Sequence, residues 1–419
     1  MQRMPLKNTS ARNAAQQTIY LFIIKTKEIL MNKINRDIIP FILKTEFRSH
    51  LFLIATFIFI CTSCKKEQAV TDTQQSRISV DMSAAKADII VHAGGSIQAA
   101  VDAAEAGMLI KIEPGTYSEA VTVNKPGIKL IGITNNGVGV IIKNPGDEEN
   151  GITVTDAGDG FALQNVTVQG FEENGVLLTA VDNFSISHVT AVNNGEYGIF
   201  PVHSSHGIID HCTASGHTDT GIYVGQSSDV DMQFNFAYEN VNGLEVENSF
   251  NVNVTHNQVY NNVCGMLIDL LPGKDVKTSS NIYIANNHVY DNNHVNFGEP
   301  GELESFVPSG LGILILGADE TTVEQNTVIG NNFAGITVFS VLVLGALAGI
   351  PPEAFADIEP NPDGAKIYKN VVLQNGKVPP SLPIPLPGVD LLWDGSGINN
   401  CWSNNNFKTS YPSQLPLCN

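Results

Sequence analysis

The sequence predicts an all-β chain folded as a right-handed parallel β-helix, a solenoid whose coils are about 22–23 residues long. In residues 221–262, a Gly-led apolar strand, a polar turn and a second strand followed by Asn occur twice. One position, next to the second strand, recurs at intervals that begin at 23 residues and lengthen later: Val166, Val189, Cys212, Asn235, Asn257, Asn287, Asn326, Asn370 and Asn405. The Gly of the other strand recurs as Gly151, Gly175, Gly198, Gly221, Gly243, Gly265, Gly312 and Gly335.

The repeat favours a solenoid because one coil cannot bury its apolar face alone, whereas coils stacked about 4.8 Å apart can. Each return to the same sheet is a parallel crossover, which is right-handed in nearly all proteins. An Asn that points inward at a fixed turn can pass amide hydrogen bonds from coil to coil, so we interpret the Asn run as structural.

The N-terminal segment, residues 1–63, is interpreted as a secretory signal, of which 1–30 precede the true start. The apolar run Leu51–Ile60 is too short to span a bilayer, which disfavours the alternative of a membrane helix. The residues that follow resemble a bacterial lipoprotein cleavage box, which implies lipidation of Cys64. Residues 64–90 are then a lipidated cysteine and flexible linker, and we expect an exported lipoprotein at the outer membrane or cell surface.

The folded domain is expected over residues 91–419. Its first element is a short helix capped by Ser96 and running through Ala106, which would cover the open end of the solenoid core. Removing residues 1–63 leaves 14 basic and 39 acidic residues, a formal charge of −25. Such a surface repels nucleic acid and argues against capture of polyuronates, but it is compatible with bound cations.

The C-terminal half carries four insertions, at about 271–279, 294–309, 341–362 and 376–396. Long loops on a rigid scaffold often carry function, although these loops could also serve only to cap the solenoid. The fourth insertion is too Pro-rich for a strand or helix. Cys401 and Cys418 flank the last coil, and we expect them to form a disulfide in an exported protein.

Three acidic residues are the candidate catalytic group. Glu245 and Glu247 point the same way, about 6.7 Å apart along one strand, and Glu247 should stack about 4.8 Å from Asp269 in the next coil. Carboxylates this close share a cation or raise one another's pKa, so Glu247 and Asp269 are also a candidate Ca²⁺ site. The alternative interpretation is a set of solvated surface charges.

Aromatic side chains form a second stripe. Tyr238, Tyr260 and Tyr290 occupy the same place in three consecutive coils, as a candidate stacking platform for sugar rings or simply a stabilising aromatic ladder. Outward histidines share another register, with Phe234 among them, and could bind metal, move protons or be incidental: His188, His211 and His256.

The segment SIQAAVDAAEAGMLIKIEPGTYSEAVTVNKPGIKLIG (96–132) resembles the entry segment of carbohydrate-active β-helix proteins, including pectin methylesterases and pectate lyases. Segments within about 195–310 and the tail are similar to an uncharacterised family of bacterial exported or lipid-anchored parallel β-helix repeat proteins, in the pectate-lyase-like superfamily. They include GIYVGQS, AYENVNGLEVENS, NNVCGMLIDLLPG and LLWDGSGINNCW. This resemblance implies no activity. The catalytic motifs of pectin methylesterases, polygalacturonases, main-class pectate lyases and alginate epimerases are absent from the sequence.

We therefore expect an envelope-anchored β-helix lipoprotein, a monomer, that binds a polysaccharide or an envelope protein, and we assign it no catalysis. The first alternative is a noncanonical polysaccharide lyase, epimerase or hydrolase that works through Glu245, Glu247 and Asp269, with Ca²⁺ as its candidate cofactor. The second is a structural envelope spacer.

Overall fold

A computed structural model describes residues 89–418 of the chain. The interpreted signal segment, the lipidation site Cys64 and the linker as far as residue 88 lie outside the described residues. Within residues 89–418, no helix is long and apolar enough to cross a membrane.

Three long sheets form the solenoid, and all pairings between their strands are parallel. The twelve-strand sheet contains β1 (Ile89–Val91), β2 (Leu109–Ile112), β5 (Lys129–Gly132), β8 (Ala162–Gln164), β11 (Ser185–Ser187), β14 (Ser205–Asp210), β17 (Ser228–Gln233), β20 (Phe250–Thr255), β23 (Tyr283–Ala285), β26 (Thr322–Glu324), β29 (Lys366–Tyr368) and β32 (Cys401–Ser403). The eleven-strand sheet contains β4 (Val121–Val123), β7 (Asn150–Val154), β10 (Asn174–Thr179), β13 (Tyr197–Val202), β16 (Thr220–Gly225), β19 (Asn242–Glu247), β22 (Cys264–Asp269), β25 (Leu311–Leu316), β28 (Ala334–Phe339), β31 (Val389–Trp393) and β33 (Ser410–Tyr411). The ten-strand sheet contains β3 (Gly115–Ser118), β6 (Val140–Lys143), β9 (Val166–Gln169), β12 (Thr190–Val192), β15 (Thr213–Ser215), β18 (Phe236–Tyr238), β21 (Gln258–Tyr260), β24 (His288–Tyr290), β27 (Thr327–Ile329) and β30 (Val371–Leu373).

The strand register follows the sequence repeat. Each strand pairs with its equivalent one coil away, as in Ala237 opposite Val259 and Val259 opposite Val289. Apolar side chains at these inward positions are fully buried and form one continuous core along the solenoid. The predicted fold class, a parallel β-helix, is confirmed.

The N-terminal helix α1 (Ile97–Ala103) is capped by Ser96, whose hydroxyl accepts from the Ala99 amide. Ile97 and Val101 are buried in the solenoid core. The prediction that the helix reaches Ala106 was wrong, because Ala104 already has an extended backbone with ψ of 144°.

The fourth insertion also differs from the prediction, since β31 lies inside the segment that was expected to hold no strand. Asp390 of this strand occupies the place that Gly335 occupies one coil earlier, and so the glycine pattern does not reveal it. The Asp390 carboxylate accepts from the Asn375 amide and thereby continues a polar ladder.

Two parallel ladders of buried Asn side chains line the solenoid. In the predicted one, each side-chain oxygen accepts the backbone N–H of its equivalent one coil earlier, through Asn235, Asn257, Asn287, Asn326, Asn370 and Asn405. A second ladder, which we did not predict, repeats the same bonds five residues later, through Asn240, Asn262, Asn292, Asn331 and Asn375. The ladders provide hydrogen-bond partners for the backbone N–H groups at the corners where the chain passes from one sheet to the next.

His217 takes the place of an Asn in the second ladder. Its ring nitrogens lie 3.1 Å from the carbonyl of Asn194 and 3.2 Å from that of Ala191. A neutral imidazole has one N–H and can donate to only one of these carbonyls. Burial opposes the charged form and lowers the pKa of His217 to about 4, from its usual value of 6.5.

We expect His217→Asn to stabilise the protein most at acidic pH. In the wild type, the unfolded chain binds the His217 proton below about pH 6.5 and the folded chain only near pH 4, so stability is full above pH 6.5 and falls as the pH drops through this window. The variant lacks this loss, on the order of 2–3 kcal/mol. Urea titrations at pH 7.5 and pH 4.5 measure the difference. A variant with the same pH dependence as the wild type would contradict the assignment.

The insertions pack on the outer side of the eleven-strand sheet. The helix α2 (Val341–Ala348) and the 3₁₀ turns Leu303–Phe306 and Pro352–Phe355 lie in insertions expected to be loops. Their apolar side chains cover Leu267, Leu314 and other outward residues of β22, β25 and β28, and together they form a second hydrophobic core. The cavity left between them is only about 20 Å³. At the end of the chain, Cys401 and Cys418 form a disulfide across 17 residues.

Candidate functional site

The candidate acidic residues meet on the outer side of the eleven-strand sheet. Glu247 on β19 pairs in register with Asp269 on β22, and Glu245 lies two residues before Glu247. One carboxylate oxygen from each of the three residues lies within 4.8 Å of the others. We call Glu245, Glu247 and Asp269 the carboxylate cluster. It is the one group of its kind in residues 89–418 whose geometry could hold a metal ion.

The cluster is buried, and the interpretation of its members as solvated charges was wrong. Glu245 is 6%, Glu247 3% and Asp269 1% exposed. The first insertion passes over the cluster and places the Lys274 Nζ 3.1 Å from Glu247 Oε1. Sequence spacing shows which carboxylates share a face of a strand, but it does not show what covers that face.

The covering loop is fastened at two points. The Asn248 side chain donates to the carbonyls of Leu271 and Val276, at 2.9 and 2.6 Å. Lys277 pairs with Asp357 of the third insertion at 2.5 Å, and the same carboxylate accepts from the Gly273 amide. This conformation therefore closes the cluster to a polymeric substrate.

Polar neighbours from the preceding coil and from its own strand contact Glu245. The Thr220 hydroxyl donates to Glu245 Oε2, and the Asn242 amide donates to the same oxygen at 3.3 Å. The Asn242 amide also donates to Asp219 at 3.2 Å. We did not predict these residues, although Asp219 and Thr220 stand just before Gly221, one coil ahead of Asn242 and Gly243.

Burial and mutual repulsion favour protonated carboxyls. Burial, then the charges of Asp269, Asp219 and Glu247, raises the pKa of Glu245 well above its usual value. Burial and Glu247 raise the pKa of Asp269 as well, against the opposing effect of Lys274. The pKa of Asp219 rises to about 7, mainly through burial and then through Glu304. The cluster can thus hold protons near neutral pH or exchange them for a cation.

The predicted tyrosine stripe lies on the ten-strand sheet. Ring centroids are 5.2 Å apart between Tyr238 and Tyr260 and 5.0 Å apart between Tyr260 and Tyr290, with interplanar angles of 14° and 10°. The rings therefore cover one another's faces. All three are half-buried, and a ligand would meet mainly ring edges and hydroxyls.

A second aromatic row runs along the turn between the twelve-strand and ten-strand sheets. His188, His211, Phe234 and His256 stack in succession, with centroid distances of 4.8, 5.1 and 4.9 Å. Phe234 is 40% exposed, as is Phe236 on the neighbouring strand. We call the following set the aromatic face: Phe234, Phe236, Tyr238, His256, Tyr260, His288 and Tyr290.

Comparisons with known proteins support the fold. A family described as "Right handed beta helix region" matches residues 126–270. The A-module of mannuronan C-5 epimerase AlgE6 from Azotobacter vinelandii superposes with a TM-score of 0.54 at 18% identity, covering 71% of this chain and 74% of that one. The A-module of epimerase AlgE4 from the same organism gives 0.50 at 16% identity, with coverages of 75% and 92%. No curated protein sequence matches the chain. The protein therefore has a right-handed parallel β-helix fold.

Proposed function

We propose that the protein is an envelope-anchored lipoprotein that binds an extended glycan along its aromatic face. The observation that carries this proposal is the three-coil tyrosine ladder, half-buried and flanked by the exposed Phe234 and Phe236. Each coil offers nearly the same edge at a spacing of about 4.8 Å, which suits a ligand that also repeats along its length.

The chemistry of this face fits sugar hydroxyls. Tyrosine hydroxyls and imidazole nitrogens donate and accept hydrogen bonds, while the ring edges and exposed phenylalanines supply apolar contact. The acidic balance of 39 to 14 charged residues beyond residue 63 favours a neutral glycan over an anionic one. The two epimerases described above are named for a polysaccharide, and so polysaccharides are the ligand class to test first.

A second candidate function is cleavage or epimerisation of a polysaccharide by the carboxylate cluster. The raised pKa of Glu245 beside other carboxylates favours it, because such pairs can act as general acid and base. The covering loop that carries Lys274 opposes it, since a polymer would have to displace this loop before reaching the acids. Binding by the aromatic face requires no such opening, and we therefore place it first.

A screen of neutral and acidic polysaccharides, for binding and for depolymerisation, tests the proposal. We expect wild-type protein to bind at least one glycan without turnover and Tyr260→Ala to bind it about tenfold more weakly, as loss of one aromatic contact implies. Tyr260→Phe keeps the ring and isolates the contribution of the hydroxyl.

Phe250→Ala is the control, because Phe250 is an exposed aromatic residue (39%) on the twelve-strand sheet. Equal weakening by Phe250→Ala would overturn the placement of the site. Turnover that is lost in a Glu247→Gln, Asp269→Asn double variant would favour the enzyme instead. If the protein shows neither binding nor turnover, the remaining candidate functions are binding of a protein partner and a structural spacer.

A further inference from the structure

We propose that the carboxylate cluster binds one divalent cation, Ca²⁺. The cluster lies on the eleven-strand sheet and the aromatic face on the ten-strand sheet, so this inference is independent of the proposed glycan binding.

The spacing of the oxygens matches one coordination shell. Ca²⁺ binds oxygen ligands at about 2.3–2.6 Å, and two ligands on opposite sides of the ion are therefore about 4.6–5.2 Å apart. The cluster supplies three carboxylate oxygens within 4.8 Å of one another. A single ion placed among them can contact all three.

Two buried oxygens without a hydrogen-bond partner point independently to a missing ligand. Asp269 Oδ1 and Asn242 Oδ1 are both buried and accept no hydrogen bond, in side chains that are each 1% exposed. The Asn242 amide nitrogen is 3.3 Å from Glu245 Oε2, which places the amide group at the edge of the cluster. Buried polar atoms are nearly always satisfied in native proteins, and a cation held by the cluster would satisfy Asp269 Oδ1.

The charges also balance. Glu245, Glu247 and Asp269 carry three negative charges when ionised, and Lys274 next to Glu247 supplies one positive charge. The remaining charge of −2 is balanced by the +2 charge of one divalent cation. Oxygen-only ligands select a hard cation, and a buried cluster suits Ca²⁺ better than Mg²⁺, which usually keeps several waters.

The experiment uses purified protein freed of metal with EGTA, then titrated with CaCl₂ or MgCl₂ by calorimetry and thermal unfolding. We expect one Ca²⁺ per chain, a Tm that rises with Ca²⁺ concentration, and affinity for Mg²⁺ at least tenfold weaker. Tb³⁺ provides a local readout, because Tyr223 pairs in register with Glu245 and can sensitise the luminescence of a lanthanide bound there.

Glu247→Gln combined with Asp269→Asn should abolish the Ca²⁺-dependent rise in Tm and the Tb³⁺ luminescence. The control is Asp229→Asn combined with Asp231→Asn, which removes two neighbouring exposed carboxylates on β17 and should change neither. Tyr223→Phe should lose the luminescence but keep the rise in Tm.

The proposal fails if Ca²⁺ leaves the wild-type Tm unchanged. It also fails if the control pair removes as much binding as the cluster pair, since the ion then associates with the acidic surface in general. Because the apo cluster variants replace repelling acids by amides, they should fold at least as well as the wild type without metal, which circular dichroism checks.

Discussion

Replacing Gly265 by Ala is expected to lower the free energy of unfolding by about 3 kcal/mol or more. A Cβ atom at this position would lie 2.5 Å from the backbone carbonyl oxygen of Gly312 and 2.7 Å from the Val289 side chain. The nearest obstacle is backbone in the next coil, and moving it would strain the pairing of β22 with β25. The midpoint of urea unfolding, followed by circular dichroism, measures the loss.

The same close approach recurs along a column of glycines. At Gly198, Gly221, Gly243 and Gly312, an added Cβ would meet the carbonyl of the equivalent residue one coil later, at 2.4 to 2.8 Å. Gly146→Ala is the control, since a Cβ there has nothing within 4 Å and the backbone does not have positive φ. We expect this control to be neutral or slightly stabilising. Equal effects of the two substitutions would contradict the close-packing explanation.

Replacing Asn287 by Leu is expected to cost about 4 kcal/mol, because each buried polar group left unpaired costs about 1–3 kcal/mol. The Asn287 side-chain oxygen accepts from the Asn257 amide at 2.9 Å, and its nitrogen donates to the Val254 carbonyl at 2.7 Å. A second donation, at 2.9 Å, reaches the side chain of Asn326. Leucine has a similar size but can make none of these bonds.

Asn253→Ala is the control for this prediction. The Asn253 amide donates to Asp231 on the outside of the twelve-strand sheet, and exposed pairs of this kind contribute little. We expect a shift within about 0.5 kcal/mol for Asn253→Ala. If Asn287→Leu lowers the free energy of unfolding by no more than this, water can replace the ladder as the hydrogen-bond partner of the polar groups at the corners.

The repeating part of the protein can be predicted from its residues alone. The coil length, the register of equivalent strands and one Asn ladder are local periodic features, and each strand of the regular coils meets only its equivalents in neighbouring coils. The second ladder could have been predicted in the same way, because Asn240, Asn262 and Asn292 each follow a residue of the first ladder by five positions. The pairing of Glu247 with Asp269 also follows from the period alone.

The arrangement outside the regular coils depends on long-range contacts that the repeat does not predict. The insertions fold back over the outer side of the eleven-strand sheet, and they turn outward leucines into a second core and carboxylates expected in solvent into a buried cluster under Lys274. The repeat also does not predict that the rings of Tyr238, Tyr260 and Tyr290 stack face against face. Periodicity states which side of a strand a residue faces, but burial depends on contacts with aperiodic segments far along the chain, such as that between Lys277 and Asp357.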